Sequence, residues 1–217
     1  MNPGTEPAHR APSLEAFADR SESICVVGLG YVGLPLAVAF AARFRVIGFD
    51  IDPVRVWQLQ SGHDRTLELS EEQLRRHPIE FTTEPSAISR SRLVVVTVPT
   101  PIDAHHRPDL GPLIKASKLI GRHLEAGTTV VFESTVYPGC TEDDCIPVIE
   151  HESGLTWRRE FYAGYSPERI NPGDREHTVE KIRKVVAGDC PATARLLAGI
   201  YGAVITAGIH VAPTLKT

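Results

Sequence analysis

The sequence predicts an α/β fold in which a doubly wound, mostly parallel sheet carries helices on both faces. Short β-branched runs alternate with helical stretches along the chain, which is the pattern of βαβ units. Several strand runs are apolar at every position, as expected for strands that are covered on both sides. With 217 residues, of which 42% are hydrophobic and 23% charged, the chain is long enough to bury a substantial core.

The alternation fixes the predicted elements in order. Strands are predicted at residues 24–27, 44–49, 79–82, 93–98 and 128–132, then at 160–164 and 184–187, with a final extended stretch near 203–211. Helices are predicted at 32–42, 53–60, 71–76, 110–124, 141–151 and 192–201. Ser70 and Asp109 stand just before two of these helices and predict N-caps, because their side-chain oxygens can accept from free N–H groups at a helix start.

One domain accounts for most of the chain. No repeat, low-complexity tract or Gly/Ser-rich linker interrupts residues 24–217, so we expect a single unit there. Residues 1–23 mix Pro, Glu, His and Arg without the apolar segment of a signal peptide. They predict a flexible leader.

Composition excludes several function classes. The net charge of −4 and the scattered basic residues give no footprint for nucleic acid. No run reaches the roughly 18 apolar residues of a membrane span. We therefore expect a cytoplasmic protein without nucleic-acid or membrane partners. The four cysteines form no C-x-x-C pair and no zinc-like spacing with His, which predicts reduced, structural thiols and no metal site.

A glycine motif follows the first predicted strand and opens the first of the strand-linking helices. Gly28, Gly30 and Gly33 form G-x-G-x-x-G in the strand–turn–helix context of a Rossmann dinucleotide site. Gly28 would allow the tight turn, Gly30 would let the backbone approach a pyrophosphate, and Gly33 would let the helix pack on the strand. N–H groups near Tyr31 and Val32 would then face the phosphates. On this motif alone, a glycine-rich turn without a ligand stays open.

An acid at the end of the second strand makes the glycine motif more specific for a dinucleotide. Asp50 lies about twenty positions after the glycines, where a carboxylate can accept from the adenosine ribose hydroxyls and repel a 2′-phosphate. NAD is therefore favoured over NADP. Asp52 stands two residues further on and is the alternative ligand, although either acid is also suited to cap the helix that begins at Pro53.

Polar groups also follow three later strands, where ligands bind in open α/β sheets. Residues 97–101 (TVPTP) would line the cofactor cleft, or else form a proline-stiffened strand exit without contact. Glu133 would be a ligand or a structural acid. Glu168, in a proline-bounded loop, is a candidate for proton handling or water positioning, since a carboxylate near an apolar cofactor face can shift its pKa; the alternative is a solvated loop acid.

Five segments in this order resemble the amino-terminal NAD-binding domain of the UDP-glucose/GDP-mannose dehydrogenase family. The resemblance runs from about Ile24 to the end of the chain. Its SPERINPG form is most similar to members that oxidise UDP-N-acetylhexosamines to uronic acids for bacterial surface polysaccharide. The segments are VGLGYVGLPLA, GFDID, VPTPID, ESTVYPG and YSPERINPGD.

The resemblance implies an activity and assigns roles to residues. Members of the family oxidise the sugar C6 alcohol to a carboxylate with two NAD, through a thiohemiacetal and a thioester on a cysteine. Pro172 stands where the UDP-glucose enzymes carry a second loop glutamate. The matching positions are the pyrophosphate loop (Gly28, Gly30, Gly33), the ribose acid (Asp50), a basic residue near the ribose (Arg55), the cleft threonines (Thr100, Thr135), the groups that hold and assist the catalytic water (Thr135, Glu168), and substrate contacts (Arg169, Asn171).

The resemblance also implies that the chain is the amino-terminal half of a larger enzyme. The family's catalytic lysine and asparagine, its GGxC cysteine and its sugar-nucleotide domain come after the point that Thr217 matches. We therefore expect this polypeptide to bind NAD without turnover, to meet a UDP-sugar only together with the remaining half, and to derive from a homodimeric parent. A free-standing, non-catalytic NAD-binding module is the alternative. A 6-phosphogluconate-type or 3-hydroxyacid dehydrogenase is disfavoured by ESTVYPG and SPERINPG.

Overall fold

The computed structural model describes residues 12–101, 108–168 and 180–216. Its strands are β1 (Ser23–Val27), β2 (Arg45–Phe49), β3 (Ile79–Thr82), β4 (Leu93–Val96), β5 (Thr129–Phe132), β6 (Tyr162–Tyr165), β7 (Lys184–Gly188) and β8 (Ile209–Val211). Its helices are α1 (Leu14–Ala18), α2 (Gly33–Ala41), α3 (Pro53–Gln60), α4 (Glu71–Arg75), α5 (Ser86–Ser89), α6 (Gly111–His123), α7 (Ile146–Ser153) and α8 (Pro191–Gly202), and a π-helical turn (Thr141–Cys145) leads into α7.

The strands form one sheet in the order β3-β2-β1-β4-β5-β6-β7-β8. All neighbouring strands run parallel except β6 and β7, which are antiparallel. The chain leaves β1 toward β2 on one side and later returns to β4 on the other, so the direction of winding switches at β1. Ligands bind at such a switch point, outside the carboxyl ends of the strands. The predicted doubly wound, mostly parallel fold is confirmed.

The core lies in two apolar layers, one on each face of the sheet. Side chains of α2 and α8 cover one face, and those of α6 and α7 cover the other. Strands β1, β4 and β5 are buried at every position, which is why their sequences carry no polar alternation. Burial on both faces therefore leaves the strand ends as the place for polar chemistry.

The predicted caps have different outcomes. Ser70 caps α4 in a capping box, since its hydroxyl accepts from Gln73 N–H while the Gln73 side chain accepts from Ser70 N–H. The N-cap prediction for Asp109 is wrong, because α6 begins at Gly111 and Leu110 is the capping position. The Asp109 carboxylate still accepts from the N–H of Gly111, the first residue of α6, at 2.8 Å.

Part of the predicted leader is ordered. Within residues 1–23, α1 is capped by Ser13, and Phe17 is fully buried in the core layer formed by α2 and α8. Leu14 packs against Gly199 of α8, where an added methyl group would lie 2.6 Å from a Leu14 methyl. The flexible-leader prediction is therefore wrong for this segment, and residues 1–11 lie outside the described residues.

Other bounds shift by a few residues. The final extended stretch is a strand only in β8, because a turn with Gly208 at φ +90° precedes it. The predicted strand at 160–164 is β6, displaced toward Tyr165. The short helix α5 has no counterpart among the predictions. The predicted strand at 93–98 is β4, which ends at Val96, so that Thr97 and Val98 belong to the loop that follows it.

Candidate functional site

The glycine turn after β1 has the geometry that the motif predicts. Gly28 has φ +95°, a left-handed conformation that favours glycine, and its N–H donates to Phe49 O at 2.9 Å. A methyl group on Gly33 would lie 1.9 Å from Gly28 O, so only glycine lets α2 approach the turn. A methyl group on Gly30 would meet no non-neighbouring heavy atom of the described chain within 4 Å. The turn therefore has open space above its middle glycine.

Thr97 fastens this turn from the neighbouring strand. Its hydroxyl donates to Gly28 O at 2.6 Å and also lies 3.0 Å from Val27 O. The same oxygen would be 2.3 Å from a methyl group on Gly33. Thr97 therefore supports the glycine turn from beneath. The sequence analysis predicts a cleft-lining function for residues 97–101 and does not assign this supporting role.

Asp50 joins the end of β2 to the glycine turn. Its Oδ2 accepts from Leu29 N–H at 2.8 Å, and its Oδ1 accepts from Asp52 N–H at 2.9 Å. Asp52 itself caps α3 by accepting from Val54 N–H and pairs with Arg65 at 2.9 Å. The structure thus gives the two acids different positions, with Asp50 against the glycine turn and Asp52 at the helix start.

Arg55 lies beneath the turn and is 1% exposed. Its Nε donates to Leu29 O at 2.8 Å, and its Nη1 donates to Asp64 Oδ1 at 2.8 Å. Its Nη2 is buried and has no hydrogen-bond partner among the described residues. Arg55 is therefore next to the predicted ribose acid, but part of its guanidinium is engaged by the protein itself.

The loops after β4 and β5 are tied together by two hydroxyl groups. Thr100 Oγ1 donates to Thr135 O at 2.9 Å, and Ser134 Oγ donates to Val98 O at 2.6 Å. The structure therefore brings the two cleft threonines of the sequence analysis to adjacent loops. Thr135 is exposed at this edge.

A buried ionic cluster lies beside these loops. Lys184 Nζ is 2.5 Å from Glu133 Oε2 and 3.1 Å from Glu168 Oε2, and the Tyr201 hydroxyl donates to Glu133 Oε1. The Glu168 side chain is only 10% exposed, so it is not a solvated loop acid. In these contacts Glu133 is a structural acid, which is one of the two roles, ligand or structural acid, that the sequence analysis left open.

The pKa values of the cluster follow from burial and pairing. Burial alone would lower the pKa of Lys184, but the charges of Glu133 and Glu168 outweigh it and raise that pKa above its ordinary value. Burial also raises the pKa of Glu133, which Lys184 offsets only in part. Lys184 is therefore held protonated between two carboxyl groups.

Sequence reasoning missed Lys184, Tyr201 and Asp64. Lys184 opens the strand KVVAG, and a lysine in an otherwise apolar strand was the one available signal. Because β7 runs antiparallel to β6, its first residue lies at the same edge as the last residues of the parallel strands. The contact of Tyr201 with Glu133 and the pairing of Asp64 with Arg55 depend on packing between elements that no local pattern encodes.

Some predicted features fall outside these observations. The predicted substrate contacts Arg169 and Asn171 lie outside the described residues. Among the residues that the structure does describe, no group of His, Cys, Asp or Glu is arranged to hold a metal ion. Over the same part of the chain, no helix combines the length and apolar character needed to cross a bilayer.

Comparison with known proteins identifies the family. Residues 22–205 match the model of the UDP-glucose/GDP-mannose dehydrogenase family, NAD binding domain. The UDP-N-acetyl-D-glucosamine 6-dehydrogenases of Pseudomonas aeruginosa and Salmonella typhi are 51% and 47% identical to the chain, over 89% of it and 46% of their own length. The crystal structure of the NDP-N-acetyl-D-galactosaminuronic acid dehydrogenase of Methanosarcina mazei Go1 superimposes with a TM-score of 0.82 at 29% identity, over 95% of this chain and 48% of that one.

The extent of these matches bounds the conclusion. The chain spans about half the length of the curated relatives it matches, while the family model covers most of the chain itself. The glycine turn, the acid at the end of β2 and strands β1 to β7 all lie inside the matched region. The chain therefore belongs to the UDP-glucose/GDP-mannose dehydrogenase family and carries its NAD-binding domain.

Proposed function

We propose that the chain holds NAD across the carboxyl ends of β1, β2 and β4 and serves as the cofactor-binding part of a UDP-N-acetylhexosamine 6-dehydrogenase. The observation that carries the cofactor site is the hydrogen bond from Leu29 N–H to Asp50 Oδ2. This bond sets the phosphate-binding turn and the ribose-binding acid side by side. The pyrophosphate would lie over Gly30 and the start of α2, with the adenosine ribose against Asp50.

The residues present fit a dinucleotide. Gly30 leaves room for a phosphate above the turn, and the N–H groups of Tyr31 and Val32 directly precede α2, where a helix start favours anions. Arg55 has one buried donor, Nη2, without a partner among the described residues. Ile51 follows Asp50 with 80% of its surface exposed and offers an apolar contact for the adenine.

The substrate is proposed from the relatives and from the polar edge of the sheet. NAD, when bound, supplies the acceptor for a hydride from an alcohol. Thr135 and Glu168 lie at the same edge of the sheet as the glycine turn, and they would hold and activate a water molecule. Lys184 fixes the Glu168 carboxylate at 3.1 Å. Arg169 and Asn171 would contact the sugar nucleotide, whose remaining contacts and a homodimer interface would come from the half that the relatives have in addition.

We further propose that the chain alone does not turn over. Cys25, Cys140 and Cys145 are buried, whereas Cys190 is half-buried with its sulfur 3.2 Å from the Thr193 hydroxyl. Burial raises the pKa of the Cys25 thiol to about 12 and that of Cys140 to about 11. A thiol that stays protonated is a poor nucleophile. These observations also favour the second candidate, a non-catalytic NAD-binding module in the cytoplasm, which needs only the cofactor site.

Calorimetry tests the proposal. We expect the purified chain to bind NAD, to bind NADP more weakly, and to show no heat with UDP-N-acetylglucosamine or reduction of NAD in its presence. Tighter binding of NADP than of NAD would contradict the role of Asp50. Tight binding of the sugar nucleotide, or NADH formation by the chain alone, would contradict the assignment of substrate binding and turnover to the other half.

A further inference from the structure

We propose that Asp64 is a positioning residue for cofactor binding, which holds Arg55 against the Leu29 carbonyl and so orients the glycine turn. Asp64 lies in none of the five family segments, and its side chain is fully buried. The inference rests on the proposed function, because its main consequence is a change in affinity for NAD. It adds a residue that acts on the site through another side chain.

Asp64 is saturated with hydrogen bonds. Besides Arg55 Nη1, it accepts from Thr66 N–H at 3.0 Å and from the Thr66 hydroxyl at 2.6 Å. The N–H groups of Glu68 and Leu69 each donate to its Oδ2 at 3.0 Å. Burial opposes ionisation, but the hydrogen bonds from Thr66 and Arg55 outweigh it and lower the pKa of Asp64. The carboxylate is therefore charged, fixed in place and available to neutralise Arg55.

Arg55 needs that neutralisation in order to stay where it is. Its guanidinium is buried, and a buried charge without its partner is strongly destabilising. Without Asp64, the free energy of the charged guanidinium falls when it turns toward water. This movement withdraws Nε from Leu29 O. The 2.8 Å bond between Nε and Leu29 O is thus maintained through the ion pair.

The Leu29 carbonyl controls two groups of the cofactor site. The peptide between Leu29 and Gly30 is trans, so its carbonyl and the Gly30 N–H point in opposite directions. Holding the carbonyl on Arg55 therefore fixes the direction of the Gly30 N–H. On the other side of Leu29, its own N–H donates to Asp50 Oδ2 at 2.8 Å. The ion pair thus orients both the N–H of the glycine over which the pyrophosphate is proposed to lie and the acid proposed to bind the ribose.

A simpler role for Asp64 makes a different prediction. Asp64 orders its own loop through Thr66, Glu68 and Leu69, and a purely local role would end there. Thr66→Val removes the 2.6 Å hydroxyl contact from the loop but leaves the carboxylate paired with Arg55. Asp64→Asn removes the charge from the pair with little change in shape. The two variants therefore separate the loop from the ion pair.

The first measurement is calorimetry with NAD on the full chain. We expect Asp64→Asn to weaken binding by about tenfold, which corresponds to roughly 1.4 kcal/mol. We expect Thr66→Val to stay within about twofold of the wild-type chain, since the pair persists. Equal weakening in both variants would show that loop order matters and would overturn the proposal, as would unchanged affinity in Asp64→Asn.

The second measurement is native-state hydrogen exchange without cofactor, which remains informative if the wild-type chain binds no NAD. We expect the Leu29 amide to exchange about tenfold faster in Asp64→Asn. The Gly28 amide, which donates to Phe49 O at 2.9 Å, is the internal reference for lost global stability. Parallel acceleration of both amides would mean general destabilisation and would overturn the proposal. An absence of NAD binding, with Leu29 still selectively exposed, would sink only the proposed function.

Discussion

Gly33 admits no side chain in this structure, whereas Gly30 does. The Cβ of an alanine at position 33 would fall 1.9 Å from the Gly28 carbonyl oxygen and 2.3 Å from the Thr97 hydroxyl. At position 30 the same atom would meet open space. Two glycines of one motif therefore serve different ends, since one permits packing within the protein and the other leaves room for a ligand.

The pair of substitutions Gly33→Ala and Gly30→Ala tests this division. Gly33→Ala should destabilise the fold by about 1–3 kcal/mol, because the turn and α2 must move apart. Gly30→Ala should leave stability nearly unchanged and still weaken NAD, because its methyl group enters the space of the pyrophosphate. Denaturant unfolding and calorimetry measure the two effects. A destabilised Gly30→Ala, or a Gly33→Ala of wild-type stability, would contradict the geometry.

Asp50 and Asp52 form a second informative pair. Asp50→Ala should weaken NAD and relax the bias against NADP by roughly 1–2 kcal/mol, because a charged hydrogen bond is lost and a 2′-phosphate is no longer repelled. Asp52→Asn, which alters only the cap of α3 and its pair with Arg65, should leave the preference unchanged. Titration of both nucleotides decides the matter. A change in preference in Asp52→Asn alone would move the ribose contact to that residue.

At this scale, the sequence predicts the residues whose chemistry is local. The turn glycines and Asp50 follow from a spacing within one βαβ unit. Lys184 and the ion pair of Asp64 with Arg55 do not, because these contacts join different elements and an aspartate or lysine in isolation indicates only a solvated surface. The roles assigned to Thr135, Glu168, Arg169 and Asn171 remain predictions from the family resemblance.

Among the elements, the helix α1 shows how burial overrides composition. The first residues of the chain are polar and proline-rich, so no periodicity marks a helix there. Five residues nevertheless form one, since Phe17 enters the core layer of α2 and α8. Most other elements were predictable because continuous apolar runs mark buried strands. A predicted helix start shifts by a residue where no side chain caps the helix, as at Leu110.

Truncation of Phe17 tests whether α1 belongs to the folded domain. Phe17→Ala should lower the free energy of unfolding by about 3–5 kcal/mol, as for other buried aromatic side chains. Leu14→Ala is the control on the same helix, and it should cost less because Leu14 is 36% exposed. Guanidinium titration measures both variants. No loss of stability in Phe17→Ala would restore the flexible leader.

Across the whole molecule, the buried ionic cluster joins parts of the chain that are far apart in sequence. Glu133 follows β5, Lys184 opens β7, Tyr201 comes from α8, and Glu168 follows β6. The antiparallel pairing of β7 with β6 is what brings a strand start to this edge. The cluster therefore links the outer strands of the sheet to the edge where the chemistry is proposed.

Removal of Lys184 should show the cost of an unpaired buried acid. Lys184→Met should destabilise the chain by about 3–5 kcal/mol at neutral pH, because it leaves Glu133 without its cation. A folded-state pKa of Glu133 that is raised contributes stability at low pH that is lost as pH rises through it. The penalty should therefore grow from about pH 5 toward neutrality.

The double variant Lys184→Met with Glu133→Gln supplies the control for that experiment. With Glu133 neutral, Glu168 is the one carboxylate of the cluster that has lost its cation, so the double variant should recover part of the lost stability and show a smaller change between acidic and neutral pH. Chemical denaturation over the same pH range compares the single and double variants. A pH-independent penalty in Lys184→Met would mean that packing, and not charge, accounts for the effect.

The reciprocal ties between the loops after β4 and β5 have a dynamic consequence. Thr100 reaches from the first loop to a carbonyl of the second, and Ser134 reaches back from the second to a carbonyl of the first. Because these two hydrogen bonds join the loops a few residues apart, neither loop moves without moving the other. Any adjustment on ligand arrival must then displace the two as one body, with matching relaxation rates in both.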